Sequence, residues 1–168
     1  LKKYDRVLAN PMWNQKEWNR EYFENWDSYG RVKYGIPPKS SWDWMWIQHM
    51  STSLKSTGKM GIVMDNWVLF RWWAEGAIRK WFIEDDKIEC VIGLPDNLFY
   101  NTSAPWCIVI INNDKPADRK GKILCIDASK EFEPWKNQNK LREIDVEKIS
   151  QTYFAFAEID KYSVIADI

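Results

Sequence analysis

The feature that most constrains the fold is a series of short apolar runs that alternate with stretches of helical spacing. Residues 4–9, 60–64 and 88–94 have the length and the aliphatic content of buried strands. Between them, residues 43–56 and 74–84 repeat apolar side chains at intervals of three and four, as one face of a helix does. The order strand, helix, strand, helix, strand predicts an α/β sheet with crossover connections.

The rest of the chain supplies a long loop, two more strands and a last helix. Residues 12–41 are polar and aromatic, contain Pro37-Pro38, and predict a long loop that includes a helical turn. Residues 106–111 and 122–126 are strands joined by a polar turn, so we expect the last strands to be antiparallel at an edge of the sheet. Residues 141–156 are predicted to be helical, and the final dozen residues are not assigned.

Composition excludes some functional classes. Lys plus Arg equals Asp plus Glu, 24 each, so the net charge is zero. A chain that held DNA by phosphate neutralisation alone would be basic, so any role on DNA must use a local patch or a partner's charge. No apolar run reaches the roughly 18 residues that cross a membrane, and no membrane partner is expected.

The cysteines and the single histidine fit structural roles in a reducing cytoplasm. Cys90, Cys107 and Cys125 lie in separate apolar runs without CxxC spacing, which favours buried thiols over metal ligands or catalysis. His49 has no second ligand near it in sequence, so we expect a structural role. The sequon Asn101-Thr102-Ser103 has no meaning in that compartment.

The segment with the most specific chemistry is Asn10-Pro11-Met12-Trp13, directly after the first strand. Ligands collect at the carboxyl ends of strands in such sheets, where Asp65-Asn66 and residues 94–97 should also lie. The Asn10 amide oxygen and the Pro11 carbonyl can accept both hydrogens of an exocyclic amine, while Trp13 can stack on an extruded base. A proline-capped strand end with a core tryptophan explains the same four residues.

Beyond this motif, six segments of the chain resemble one protein family. They are LANPMWNQ, DWMWIQHM, GKMGIVMDN, AEGAIRK, IECVIGLPDNLFYNTSAP and KGKILCIDASKEFEP. Together, over residues 4–145, they resemble the modification (M) subunit of type I restriction–modification systems. The resemblance implies a Rossmann-like methyltransferase sheet, mostly parallel with an antiparallel edge, that uses S-adenosylmethionine to methylate adenine in DNA.

The resemblance also implies roles for the motif and for partners. Asn10, Pro11 and Trp13 fall on the base-holding positions of the family's motif IV, and Met12 replaces its second proline. In the family a glycine-rich cofactor loop precedes this motif, and no such loop is found here, so Asn10 is the one expected cofactor contact. We expect a partial catalytic domain at residues 1–145, a helical tail at 146–168, and partners that include DNA, a specificity subunit and a restriction subunit.

Several functional alternatives follow from the same sequence. A chain that starts at motif IV is expected to be inactive alone and to lack part of its sheet. It is then a fragment of an active methyltransferase or an inactive remnant that docks onto a specificity subunit. Methylation of RNA or of a protein glutamine uses the same Asn-Pro-x-aromatic chemistry.

Tryptophan is unusually frequent and glycine is unusually rare. The chain has 12 Trp and only 7 Gly in 168 residues, about 4% glycine against the usual share of about 7%. Five tryptophans stand where the resembling family tends to have glycine: Trp67, Trp72, Trp73, Trp106 and Trp135. One hypothesis is a codon read as glycine in the source organism and translated here as tryptophan; genuine divergence is the other.

Overall fold

The computed structural model describes residues 1–100 and 102–168, so Asn101 of the sequon lies outside the described residues. The helices are α1 (Arg20–Trp26), α2 (Asp43–Thr52), α3 (Trp67–Phe70), α4 (Ala74–Glu84) and α5 (Glu143–Ala155). The strands are β1 (Tyr4–Ala9), β2 (Leu54–Asp65), β3 (Ile88–Gly93), β4 (Trp106–Asn112), β5 (Lys122–Asp127), β6 (Glu133–Trp135), β7 (Gln138–Lys140) and β8 (Ser163–Asp167).

Six strands form one twisted layer in the order β1-β2-β4-β3-β5-β8. β1 is parallel to β2, and β3 is parallel to β5, whereas β4 runs antiparallel to both of its neighbours and β8 antiparallel to β5. Four strands therefore point in one direction and two in the other. The predicted α/β class and the mainly parallel sheet are confirmed.

The position of the antiparallel strand differs from the prediction. β4 lies inside the sheet, between β2 and β3, and β5 pairs with β3 in parallel instead of following β4 at an edge. Every residue of β4 is buried or half-buried, which suits a strand with neighbours on both sides. The antiparallel edge is formed by β8, which sequence patterning left unassigned because only Ser163 of its residues is buried.

The boundary between α2 and β2 also differs from the prediction. The helix ends at Thr52, and Leu54 begins a strand of 12 residues, although its spacing from Met50 fits a helix. The expected break at Thr57-Gly58-Lys59 is a shift in register, because Leu54 pairs with Tyr4 and Lys59 with Arg6. A Cβ at Gly58 would lie 2.9 Å from the Lys55 backbone nitrogen, so this bulge requires glycine.

The core has two main clusters that the helices close. Ile47 of α2 and Phe82 of α4 pack with Met60 and Ile62 of β2 in the first. Ile149 of α5 packs with β3 and β5 in the second. The predicted burial of thiols is confirmed for Cys90 and Cys107, and burial raises the pKa of Cys107 to about 12; Cys125 is half-buried.

The expected helical tail at residues 146–168 is wrong in its last part. Helix α5 ends at Ala155, where Phe156 adopts a left-handed conformation that turns the chain back toward the sheet. The following residues reach β5 and form β8. The β6–β7 hairpin was also missed, since its residues lack the alternation of apolar side chains that marks a strand. The division at residue 145 stays a prediction.

The five unusual tryptophans have two kinds of environment. Trp67, Trp72, Trp73 and Trp135 are between 60% and 93% exposed, whereas Trp106 is 3% exposed. Trp73 has φ +61° and ψ −128°, a backbone conformation that glycine adopts and that L residues rarely do. Its geometry supports a glycine at this position, and the decoding hypothesis stays a prediction for all five.

Candidate active site

The carboxyl ends of the parallel strands meet at one edge of the sheet, and the Asn10-Pro11-Met12-Trp13 motif leaves that edge at β1. β1 and β2 are aligned in parallel, Asp65 at the end of β2 pairs with Trp106 of β4, and Gly93 at the end of β3 pairs with Cys107. The predicted convergence of the motif, Asp65-Asn66 and residues 94–97 on this edge is therefore confirmed.

The second half of the motif is fixed by hydrogen bonds from several elements. The Trp46 indole N–H donates to the Met12 carbonyl at 3.2 Å, and the Trp13 indole N–H donates to the Val63 carbonyl at 2.9 Å. The Asn14 backbone N–H donates to the Asp43 carboxylate at 2.9 Å. Helix α2 and strand β2 thus hold the loop that follows β1.

The first half of the motif is open. Asn10 is exposed and Pro11 is half-buried. Within residues 1–100 and 102–168, neither the Asn10 side chain nor the Pro11 carbonyl takes part in a hydrogen bond. Two acceptors at the rim of the sheet therefore stand beside a loop that hydrogen bonds from α2 and to β2 hold in place.

Trp13 lies in an aromatic cluster below this opening. Its ring centroid is 3.9 Å from that of Trp106, at an interplanar angle of 45°, and 5.4 Å from that of Phe99. Trp13 therefore contacts both core clusters and is only half-buried. Of the two aromatics after β3, Phe99 joins this cluster, whereas Tyr100 is 86% exposed, because its segment leaves the sheet as a loop.

A polar network lies behind the motif, with its carboxylates buried and Asn14 exposed, and sequence reasoning missed it. This loop network consists of Asn14, Ser41, Asp43, Asp65, Arg71 and Glu75. The Arg71 guanidinium donates to the Asp43 carboxylate at 2.6 Å and to the Asn14 amide oxygen. The Asn14 amide in turn donates to Asp65 at 2.8 Å. The residues come from four separate segments, so no local pattern signals them.

Burial sets the electrostatics of the loop network. Asp43 is 0% exposed and Glu75 is 2% exposed, so both carboxyl groups depend on neighbours for solvation. Burial raises the pKa of Glu75, against the lowering effect of the Ser41 hydroxyl and Arg71. His49, predicted to be structural, is half-buried, and burial together with Arg31 lowers its pKa.

Comparisons with known proteins identify the family. The family model described as N-6 DNA Methylase matches residues 1–168. The chain belongs to the N-6 DNA methylase family. It is 42% identical, over 99% of its length, to the "Type I restriction enzyme MjaVIII methylase subunit" of Methanocaldococcus jannaschii, and 37% identical, over 96%, to the HindI methylase subunit of Haemophilus influenzae.

A solved structure supports the same assignment for this N-6 DNA methylase chain. The type I restriction-modification methyltransferase subunit of Streptococcus thermophilus superposes with a TM-score of 0.88 and 36% identity over 99% of the chain. The resemblance to type I modification subunits and the Rossmann-like methyltransferase fold are confirmed. The chain spans only 29% and 36% of the two curated relatives and 34% of that structure.

The described residues form only a small part of a site for S-adenosylmethionine. Asn10 offers an open polar group, but none of the described positive-φ glycines, Gly30, Gly35 and Gly121, directly follows a strand of the sheet as a cofactor loop requires. The part of the chain that the structure describes also holds no cluster of three or more potential metal ligands. Among the described residues, no helix combines the length and hydrophobicity needed to cross a bilayer.

Proposed function

We propose that this chain carries the base-holding loop of an adenine-specific DNA methyltransferase within a type I modification subunit. The observation that carries the proposal is the open pair of acceptors, Asn10 and Pro11, beside a fixed loop at the carboxyl edge of an N-6 DNA methylase sheet. The site lies where ligands collect in an open α/β sheet. The relatives named above support the type I setting.

The two acceptors would orient the target amine. The Asn10 amide oxygen takes one hydrogen of the adenine amino group, and the Pro11 carbonyl takes the other. Two such bonds draw the nitrogen toward tetrahedral geometry and direct its lone pair out of the base plane. S-adenosylmethionine, when bound by the longer protein, would supply a methyl group on a sulfonium for that lone pair. No strong base is needed, because the methylated nitrogen becomes acidic enough to lose its proton afterwards.

Trp13 is the proposed stacking partner of the extruded base, and Trp106 limits access to its ring. The Trp106 ring occupies the space beside one face of Trp13, 3.9 Å between centroids. A base can use that face only after Trp106 is displaced or replaced by a smaller residue. Glycine at position 106, as the decoding hypothesis has it, would open the space between Trp13 and Phe99 to a flat aromatic ligand.

The proposed partners follow from the family and the charge. A chain with no net charge needs help to hold DNA, which a specificity subunit would give together with the choice of target sequence. A restriction subunit would join the same complex. A cytoplasmic location stays a prediction.

The test uses the full-length protein that contains this chain, assembled with its specificity subunit. We expect N6-methyladenine in DNA by nucleoside mass spectrometry, and Asn10→Ala should lower the rate at least about a hundredfold, as loss of a single transition-state contact does. Asn25→Ala, which changes an exposed asparagine on α1, is the matched control and should leave the rate unchanged.

The alternatives give different results in the same experiment. A complex that assembles with the specificity subunit and forms no methylated product supports a docking remnant. Methylation of RNA or of protein glutamine in place of adenine would contradict the proposed substrate. Equal rates for wild type and Asn10→Ala would remove Asn10 from the site.

A further inference from the structure

The centre of the loop network is Arg71, which connects the motif to two helices. Its Nη1 lies 2.6 Å from Asp43 at the start of α2 and 2.5 Å from the Ser41 hydroxyl, and its Nη2 donates to the Asn14 amide oxygen. The side chain is 23% exposed, and Asp43 is fully buried. One guanidinium therefore contacts both the motif loop and the element behind it.

Asn14 is the point where the motif loop is held. It has φ +53°, in the left-handed region where asparagine is among the few tolerated residues, and the chain reverses there. Its backbone N–H donates to Asp43 and its side-chain N–H donates to Asp65. Its side-chain oxygen accepts from Arg71. Asn14 is four residues from Asn10, so a shift at this anchor moves the two open acceptors.

Arg71 is itself held from outside the motif. Its backbone carbonyl accepts two hydrogen bonds of 3.1 Å from the Arg79 guanidinium on α4, which also binds the Val68 carbonyl. Burial lowers the pKa of Arg79, with Glu75 opposing that effect. Arg71, which lies between α3 and α4, is thus held by α4 through its backbone carbonyl and reaches the motif through its guanidinium.

The geometry needs a fork and not only a positive charge. Asp43 and Asn14 are bound by different nitrogens of one planar guanidinium, which a single ammonium cannot reproduce. The charge still matters for stability, because without it the buried Asp43 carboxylate would lose its ion pair. The two contributions can be separated by a lysine, which keeps the charge and loses the fork.

We infer that Arg71 is a positioning residue for methyl transfer, which it serves through Asp43 and Asn14 by fixing where the Asn10 and Pro11 acceptors stand. This role rests on the proposed function. Arg71 acts on the reacting amine only through the motif loop, so its loss should slow the chemical step and leave DNA affinity nearly unchanged.

The experiment compares Arg71→Lys with wild type in the full-length protein bound to its specificity subunit. Single-turnover methyl transfer should fall by about tenfold to a hundredfold, the range expected for misplaced reacting groups, with the KM for DNA within about threefold of wild type. Hydrogen–deuterium exchange should show that the Asn14 backbone amide exchanges faster in Arg71→Lys than in wild type. Arg20→Lys is the matched control, because Arg20 on α1 is also a half-buried arginine with two partners, Glu24 and the Pro37 carbonyl, and it should change neither readout.

A double-mutant cycle tests the route. If Arg71 acts through Asn14, then Asn14→Ala combined with Arg71→Lys should be no slower than the slower of the two single variants. Additive losses would contradict that route. Thermal melting of each complex shows whether a variant has lost its fold, and Arg71→Lys keeps the buried ion pair that protects it.

The outcomes separate the two proposals. If the wild-type complex forms no N6-methyladenine, the proposed function fails and the positioning role falls with it. If the wild type is active and Arg71→Lys methylates at the same rate, only the positioning role is overturned. A loss that appears in the KM for DNA, with an unchanged single-turnover rate, would make Arg71 a DNA-binding residue and would also overturn it.

Discussion

Two polar networks, each built around buried carboxylates, have different roles in this molecule. The loop network ties the motif to loops and helix ends. A second one, the sheet network, lies on the central strands at the edge opposite the motif. It consists of Lys59, Glu89, Asn112, Arg119 and Tyr153. In each, a carboxylate that is 0% exposed, Asp43 or Glu89, receives an arginine and at least one neutral donor.

The difference lies in what else holds the backbone. Around Glu89 the chain is fixed by strand ladders on β2, β3 and β4, so the side chains add attachment of α5 through the 2.6 Å bond from Tyr153. Around Asn14 the described residues form no ladder, and the path of the loop is set mainly by side-chain hydrogen bonds, together with isolated backbone bonds such as that from the Trp42 N–H to the Gln15 carbonyl. A network of the first kind should govern stability, and one of the second kind should govern the geometry of a site.

The largest expected difference between the two networks is in the free energy of unfolding. Glu89→Gln removes a buried charge that Lys59 and Arg119 pair at 2.9 and 3.4 Å, and the free energy of unfolding should fall by about 3 kcal/mol. Methyl transfer per folded molecule should stay unchanged, the reverse of Arg71→Lys. Urea unfolding of the full-length protein measures it.

The control for that variant is Glu84→Gln on α4. Its pair with Lys80 is exposed, at 3.6 Å, and should contribute little. Equal free energies of unfolding for Glu89→Gln and Glu84→Gln would show that the sheet network makes no special contribution to stability. That result would contradict the proposed difference between the two networks.

The next largest effect is the pH dependence of the stabilisation that the Glu89 carboxylate provides. Burial opposes ionisation of Glu89, but hydrogen bonds from Tyr153, Lys59 and Asn112 outweigh it and hold the pKa of Glu89 below its ordinary value of 4.5. Since the folded-state pKa is the lower one, this stabilisation is present above pH 4.5 and is lost as the pH falls through the folded pKa.

Unfolding curves at several pH values check this sign. The gap in stability between wild type and Glu89→Gln should be constant near neutral pH and should narrow below about pH 4.5. A gap that widens on acidification would show that the carboxyl group is buried in its neutral form.

The smallest expected effect concerns Trp73, which lies between Arg71 and Glu75 of the loop network in sequence. Replacement by glycine should raise the free energy of unfolding by about 1 kcal/mol, because it relieves the strain of φ +61° and the side chain is 93% exposed. Trp72→Gly is the matched control, with 80% exposure and no positive φ, and should be neutral or slightly destabilising. A destabilised Trp73→Gly variant would favour genuine divergence over a decoding error.

The first five strands and their order along the chain were predictable because local patterns carry them. β1 and α4 match their predicted bounds, and β3, β4 and β5 differ from theirs by one residue at one end. The motif at the end of β1 was visible for the same reason, since Asn10 to Trp13 are consecutive. The decision between helix and strand at Leu54 failed, because a single apolar spacing fits both elements and tertiary pairing with Tyr4 decides.

The sequence by itself determined the alternation of strands and helices, the family, and the four residues of the motif. Tertiary structure alone decided that β4 enters the sheet, that the tail returns as β8, and that Asn14, Asp43 and Arg71 meet. The physical reason is the distance along the chain over which each kind of interaction acts. Periodicity and turn chemistry act within a few residues, whereas the loop network joins positions up to 57 residues apart and exists only when the chain is folded.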